Sequence, residues 1–249
     1  MSELRVVSDP PALAWTSSQE FLRLAAEAIR ARGRFNVALS GGSTPRATYE
    51  RIAEIWKEAP GGPLDWTRVH LFWGDERHVP PDDPQNNYRM ANDAMIERVP
   101  IPPENVYPVP SAIPDAREAA SRYEARLIEA LHLGPDDVPR FDLILLGMGT
   151  DGHVASIFPG TEALDEEKRL VMGNWVDTTQ TWRITLTLPV LNNAAHVIVL
   201  VAGREKAPAL RRVRRGPHTP PLLPAERLHP RKGTLLWLAD REAAGAPAD

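Results

Sequence analysis

The sequence predicts an α/β fold in which a sheet is covered by helices. Three observations carry that expectation. Short apolar runs of strand length alternate along the chain with longer segments of helical periodicity. Four of the apolar runs end in polar, glycine-bearing loops, and ligand sites of open α/β sheets lie beyond the carboxyl ends of such strands. The 249 residues, 43% hydrophobic and 25% charged, suffice to bury one substantial core, and no low-complexity linker or internal repeat divides them.

The elements follow in order. Ser17 and Glu20 have the spacing of a capping box. Phe21, Leu22, Ala25, Ala28 and Ile29 then share one helical face, and Gly33 ends the helix. Phe35 to Leu39 is a short apolar strand that runs into Ser40-Gly41-Gly42-Ser43-Thr44. Pro45 suits the first position of the next helix, with Thr44 as its cap. Val69 to Trp73 reads as a strand that leads into Gly74-Asp75-Glu76-Arg77-His78, and the proline-rich stretch Val79 to Pro84 as a loop. Helices are expected from Asn87 to Arg98 and from Asp115, the latter with Ala119, Tyr123, Leu127 and Leu131 on one face. Phe141 to Leu146 is a nearly continuous apolar run, the pattern of a strand buried on both faces, and it ends in Gly147-Met148-Gly149-Thr150-Asp151-Gly152-His153. Strands at Arg183 to Leu188 and His196 to Val201 follow. The second ends in Ala202-Gly203-Arg204-Glu205-Lys206 and opens a helix to about Arg214. Thr234 to Leu238 is the last strand.

Composition narrows the function classes. There are no cysteines, so disulfides, thiolate metal sites and cysteine nucleophiles are excluded. No apolar run is long enough to cross a membrane, and the opening Met1-Ser2-Glu3-Leu4-Arg5 lacks the apolar core of a signal peptide, so a cytoplasmic protein is expected. A net charge of −4 offers no platform for nucleic acid. The cluster Arg211-Arg212-Val213-Arg214-Arg215 reads as a solvated helix end, where cations suit the dipole. None of the seven histidines has metal-ligand spacing with another, so neither a metal nor a cofactor is expected.

Three loops carry the residue types of chemistry. In Ser40 to Thr44, two glycines permit close approach to a ligand. Amides at a helix start with the hydroxyls of Ser43 and Thr44 suit an anion, phosphate above all. An ordinary capped turn is the alternative. The loop lacks the Gly-Lys-Ser/Thr ending of a P-loop, the third glycine of a dinucleotide fingerprint and the last glycine of a nucleophile elbow. In Asp75 to His78, the fork of Arg77 suits phosphate or carboxylate oxygens, and a structural Asp–Arg pair is the alternative. In Gly147 to His153, a histidine, the side-chain type that can take a proton from water at neutral pH, stands with Asp151 two residues away. That supports a catalytic base oriented by a carboxylate, against a loop histidine merely satisfied by hydrogen bonds.

At these residues the chain resembles the bacterial-type 6-phosphogluconolactonase family. The motifs are Leu39-Ser40-Gly41-Gly42-Ser43-Thr44-Pro45-Arg46, Trp73-Gly74-Asp75-Glu76-Arg77, Asn86-Asn87-Tyr88 and Leu146 to His153, continued by Ala155 to Thr161. Arg183-Ile184-Thr185-Leu186-Thr187 and Gly203-Arg204-Glu205-Lys206 complete them, so that the likeness spans residues 35 to about 240. The resemblance implies a Rossmann-like fold, a doubly wound and mostly parallel sheet with helices on both faces. It is expected as a single domain over 1–249 with its core at about 15–240 and a small extra lobe. The implied reaction is hydrolysis of 6-phospho-D-glucono-1,5-lactone, the second step of the oxidative pentose phosphate branch.

Carried over residue by residue, His153 is the general base, and Asp151 orients it. Ser43 with the amides around Ser40, Gly41, Gly42 and Thr44, together with Arg77, Arg183 and Lys206, holds the phosphate or steadies charge on the lactone carbonyl. Asp75 meets sugar hydroxyls or fixes Arg77. The expected partner is a small sugar phosphate, with no nucleic acid and no membrane, and the expected state a monomer or small homo-oligomer. The chain departs from the family at Thr178-Thr179-Gln180-Thr181-Trp182, where a proline-rich lead into the Arg-Ile-Thr strand is usual. The competing readings are Ser43 as an acyl-forming nucleophile, an amino-sugar-phosphate deaminase or isomerase, and a non-catalytic sugar-phosphate sensor.

Overall fold

An edge strand that no apolar run announces begins the architecture. In the computed structural model, which describes residues 2–59, 62, 64–216 and 218–245, β1 (Ser2–Val7) lies beside the last strand of the chain. Met1 and Pro217 lie outside the described residues. Helix α1 (Pro10–Arg32) starts earlier than the Ser17–Glu20 spacing suggests. Asp9 accepts from the Ala12 N–H at 2.8 Å and Pro10 takes the first turn, a stronger start than a serine inside an apolar stripe. The Ser17 hydroxyl is instead buried, 2.6 Å from Thr48 Oγ1 on the next helix.

After β2 (Phe35–Leu39), α2 (Ser43–Glu58) begins with Gly42 as its cap rather than Thr44. Pro45 falls within the first turn, where a missing N–H removes no intrahelical bond. β3 (Val69–Trp73) is followed after Gly74 by a short strand, β4 (Asp75–Arg77). α3 (Asn87–Ala94), capped by Asn86, ends short of Arg98, and a separate 3-10 turn covers Ile96–Arg98. α4 (Ala116–Leu131) has the expected Asp115 cap, which accepts from Arg117 and Glu118 N–H groups. Then come β5 (Leu143–Gly147), the unexpected β6 (Val171–Val176), β7 (Thr181–Leu186) and the single turn α5 (Leu188–Leu191). β7 starts two residues before the expected Arg183, because it pairs along its whole length with β6. β8 (His196–Val201), α6 (Ala207–Arg215) and β9 (Thr234–Asp240) close the chain.

Six strands form one sheet in the order β1-β9-β8-β5-β2-β3, and every pair in it is parallel. From β2 the chain moves outward to β3, then returns past β2 to β5 and proceeds the other way to β8 and β9. Right-handed crossovers that run in opposite directions place their helices on opposite faces, so the sheet is doubly wound. The reversal occurs between β2 and β5, and a crevice opens beyond their carboxyl ends. The small extra lobe is a three-stranded antiparallel sheet, β4-β7-β6. Gly74 joins the two sheets: its N–H donates to Leu39 O at 2.7 Å, and its carbonyl accepts from the Leu186 N–H at 2.8 Å. The expected α/β fold class therefore stands.

Candidate active site

The crevice between β2 and β5 is a cavity of about 410 Å³. It is lined by the loops after β2, β5 and β8, with β4 and β7 on the remaining side. Ser40, Gly41, Gly42, Ser43 and Thr44 form one wall, and Asp75, Arg77, Arg183, His153 and Lys206 the others. Asp151 stands behind His153. All eleven residues singled out in the sequence thus gather in one place.

The β2 loop is held from below. Tyr49 of α2 is fully buried, and its hydroxyl accepts from Ser40 N–H and donates to Ser40 O, both at 3.0 Å. Tyr123 of α4 does the same at the end of β3, accepting from Trp73 N–H at 2.7 Å and donating to Trp73 O at 3.1 Å. Burial pushes both phenols above their ordinary value, so the hydroxyls keep their protons. Gly42, at φ 103°, turns the chain into α2 and brings no capping side chain. The first-turn N–H groups of α2 therefore face the cavity with the positive end of the helix dipole behind them. Ser40 Oγ, buried, has no hydrogen-bond partner among the described residues.

Alternation along the antiparallel strands sets the cations. Asp75 and Arg77, two apart, share the cavity face of β4, and the register places Arg183 of β7 opposite Arg77. Burial, then the charge of Arg77, lowers the Arg183 guanidinium below its ordinary value. Arg77 Nη1 donates to Gln85 O at 2.8 Å. Among the described residues Arg77, Arg183 and Lys206 form no ion pair, although most arginines elsewhere do, as in Arg5–Glu20 and Arg23–Glu27. Three cations without carboxylate partners in one crevice favour an anionic guest.

Asp75 is 7% exposed, and its Oδ2 accepts from Ser156 Oγ at 2.7 Å. The β5 loop carries the histidine. His153 Nδ1 lies 2.6 Å from Asp151 Oδ1, and the His153 N–H donates to the same oxygen at 3.1 Å. A Cβ on Gly149 would stand 2.1 Å from Nδ1, so this tight pairing requires glycine there. Phe158 stacks on the imidazole at 4.0 Å between centroids. Burial pushes the Asp151 carboxyl up, but its hydrogen bond and Coulomb attraction to His153 outweigh that and hold it below the ordinary value. With Nδ1–H directed at Asp151, Nε2 keeps a lone pair for a proton.

Glu76 points to the other face of β4 and is completely buried. Its carboxylate accepts from the N–H groups of Arg77, Asn87 and Tyr88 at 2.8, 2.6 and 2.9 Å. Burial pushes it up to about 7 against those three donors. Sequence reasoning did not single out Glu76, Ser156, Phe158 or Thr179 as site residues. The last three line the cavity, and Ser156 and Phe158 sit within the motif that continues from His153. Thr179 lies in the β6–β7 turn, where the chain departs from the family pattern. Among the described residues no cluster of histidine, aspartate and glutamate has the arrangement of a metal site, and no helix is long and apolar enough to cross a membrane.

Comparison with known proteins bears on the family and the fold. Residues 8–237 match the family model described as "Glucosamine-6-phosphate isomerases/6-phosphogluconolactonase". A 6-phosphogluconolactonase of Nostoc sp. is 42% identical over 243 residues, 98% of this chain and 97% of the relative. That of Synechocystis sp. is 42% identical over 87% of this chain and 86% of its own. The solved 6-phosphogluconolactonase of Trypanosoma cruzi superposes with a TM-score of 0.85 at 31% identity, over 98% of this chain and 96% of the other.

Proposed function

The chain belongs to the glucosamine-6-phosphate isomerase/6-phosphogluconolactonase family, and from that premise we propose that it hydrolyses 6-phospho-D-glucono-1,5-lactone to 6-phospho-D-gluconate, in the oxidative branch of the pentose phosphate pathway. The observation that carries this reading is the Asp151–His153 pair at 2.6 Å on the wall of a crevice whose three cations have no carboxylate partner.

The phosphate rests on the first-turn amides of α2, on Ser43 and on the cations. Arg77, Arg183 and Lys206 share the phosphate and the charge that develops on the carbonyl oxygen. Asp75, fixed by Ser156, accepts from sugar hydroxyls. His153 Nε2 takes a proton from water as the water oxygen bonds to C1 of the lactone. The carbonyl pair moves onto oxygen, where a cation receives it. When the oxyanion collapses, the bond from C1 to the ring oxygen breaks, and the imidazolium returns its proton to that oxygen. Asp151 balances the imidazolium charge while it lasts. A δ-lactone is an activated ester, so water and a base suffice without a covalent nucleophile. No other acid or base lies within hydrogen-bond range of Ser43 Oγ among the described residues, which weighs against a Ser43 acyl route.

The test generates the lactone in situ and follows its loss by NMR with wild type, with His153→Ala and without protein. Strong acceleration by wild type that the variant nearly abolishes upholds the activity and the base together. Wild-type loss equal to the spontaneous rate removes the activity. Full activity in the variant removes only the base.

A further inference from the structure

Glu76 stands at the seam of the two sheets, one residue from each of two cavity-lining side chains, and faces away from the cavity. Its three backbone donors converge from two elements. Arg77 N–H belongs to β4, and Asn87 and Tyr88 N–H begin α3, where a negative charge suits the helix dipole. The carboxylate therefore pins the segment from Gln85 to Tyr88 against β4. That segment touches the cavity machinery twice. Gln85 O holds the Arg77 guanidinium at 2.8 Å. Asn87 donates to Asp75 O at 2.9 Å and lies flat against the phosphate loop: a Cβ on Gly41 would stand 1.8 Å from Asn87 Oδ1. That Oδ1 is buried and has no hydrogen-bond partner among the described residues, so the Asp75 bond at Nδ2 and packing against Gly41 together define its place.

We propose that Glu76 is a positioning residue for anion binding, which through Gln85 and Asn87 fixes both the Arg77 guanidinium and the Gly41 loop. The inference rests on the sugar-phosphate reading of the crevice. It requires a carboxylate: with donors on both oxygens, an amide would turn its own N–H groups toward a backbone N–H.

The experiment is an NMR titration with inorganic phosphate, alongside kcat and KM for the lactone, on wild type and Glu76→Gln. Circular dichroism checks that the variant is folded. The expected result is phosphate affinity weakened about tenfold and KM raised by a like factor, the equivalent of one lost charge-assisted hydrogen bond, with kcat nearly unchanged. A folded variant that binds phosphate as wild type does, or that loses kcat at constant KM, overturns the proposal. If Glu76→Gln does not fold, Asn87→Ala decides. It keeps the backbone N–H that Glu76 holds but removes the side chain packed against Gly41, and it is expected to weaken phosphate binding and raise KM with kcat nearly unchanged. A folded Asn87→Ala that binds phosphate as wild type does overturns the proposal, as does a wild type that binds no phosphate. Wild type that binds phosphate but leaves the lactone untouched instead removes the lactonase reading, and the positioning claim is then decided on phosphate affinity alone.

Discussion

The parallel sheet has a cavity at each end, and the larger one is not where the chemistry gathers. At the amino ends of β5, β8 and β9 lies a cavity of about 580 Å³, against about 410 Å³ at the carboxyl ends of β2 and β5. The amino-end cavity is also polar, but its asparagine amides and Arg227 are occupied by the protein's own backbone. Asn192 donates to Arg227 O at 3.0 Å and accepts from His229 N–H at 2.6 Å. Asn193 donates to Val138 O at 2.9 Å, and Arg227 to Leu164 O at 2.6 Å. These side chains stitch loops together. At the carboxyl end three cations lack a carboxylate partner, and a helix start and the Ser40 hydroxyl lack any protein partner among the described residues. Volume does not separate the two ends. An excess of cations without carboxylate partners does, because such charge gathered in one crevice favours an anionic guest.

Substitutions at the two ends test that contrast. The largest effect is expected from His153→Ala, a fall in kcat of about 10²–10⁴-fold with the fold intact, measured in the lactone assay. Arg183→Ala and Lys206→Ala each raise KM by about tenfold or more, the loss of one charge-assisted contact to phosphate. If either leaves KM unchanged, that cation has no part in binding. Asn192→Ala is expected to reverse the pattern: a loss of about 1–3 kcal/mol in chemical denaturation, from backbone groups left unpaired, with kcat and KM held. A comparable loss of activity there would dissolve the distinction between the ends.

The smallest effect is a pair of pH slopes of opposite sense. Glu76 is raised to about 7 by burial, so the folded state binds its proton more tightly than the unfolded chain. Stability from this group is complete below the unfolded value and lost as pH rises through about 7. Glu166, on the amino-end cavity, is pushed up by burial but held lower overall by the N–H groups of Lys168 and Arg169. Its contribution is present above the ordinary carboxylate range and lost as pH falls through its depressed value. Unfolding free energies of Glu76→Gln and Glu166→Gln against wild type, from acid to pH 8, should lose slopes of opposite sign.

Much of this was legible in sequence because it depends on local pattern. β3 and β8 coincide with their apolar runs, and the three loops were found from residue type and position after a strand. What failed depended on partners distant in the chain. β1 alternates weakly because it is an edge strand that leans on β9, more than 220 residues away in sequence. β6 is interrupted by Gly173, whose missing side chain lets the start of α4 pack against it: a Cβ there would lie 2.9 Å from the Ala116 backbone. The early start of α1 went unread because Ser17 looked like a cap, when its hydroxyl binds another helix. Glu76 was missed as a determinant because its role lies in three backbone N–H groups, two of which belong to α3.

The two tyrosines have a consequence in time. An amide at the rim of a ligand crevice ordinarily exchanges its hydrogen with solvent as the loop fluctuates. Ser40 and Trp73 donate instead to hydroxyls anchored in α2 and α4. Their exchange must wait for a helix to lift from the sheet, so these two amides are clocks for the opening of the whole layer, set at the edge of the place where substrate arrives.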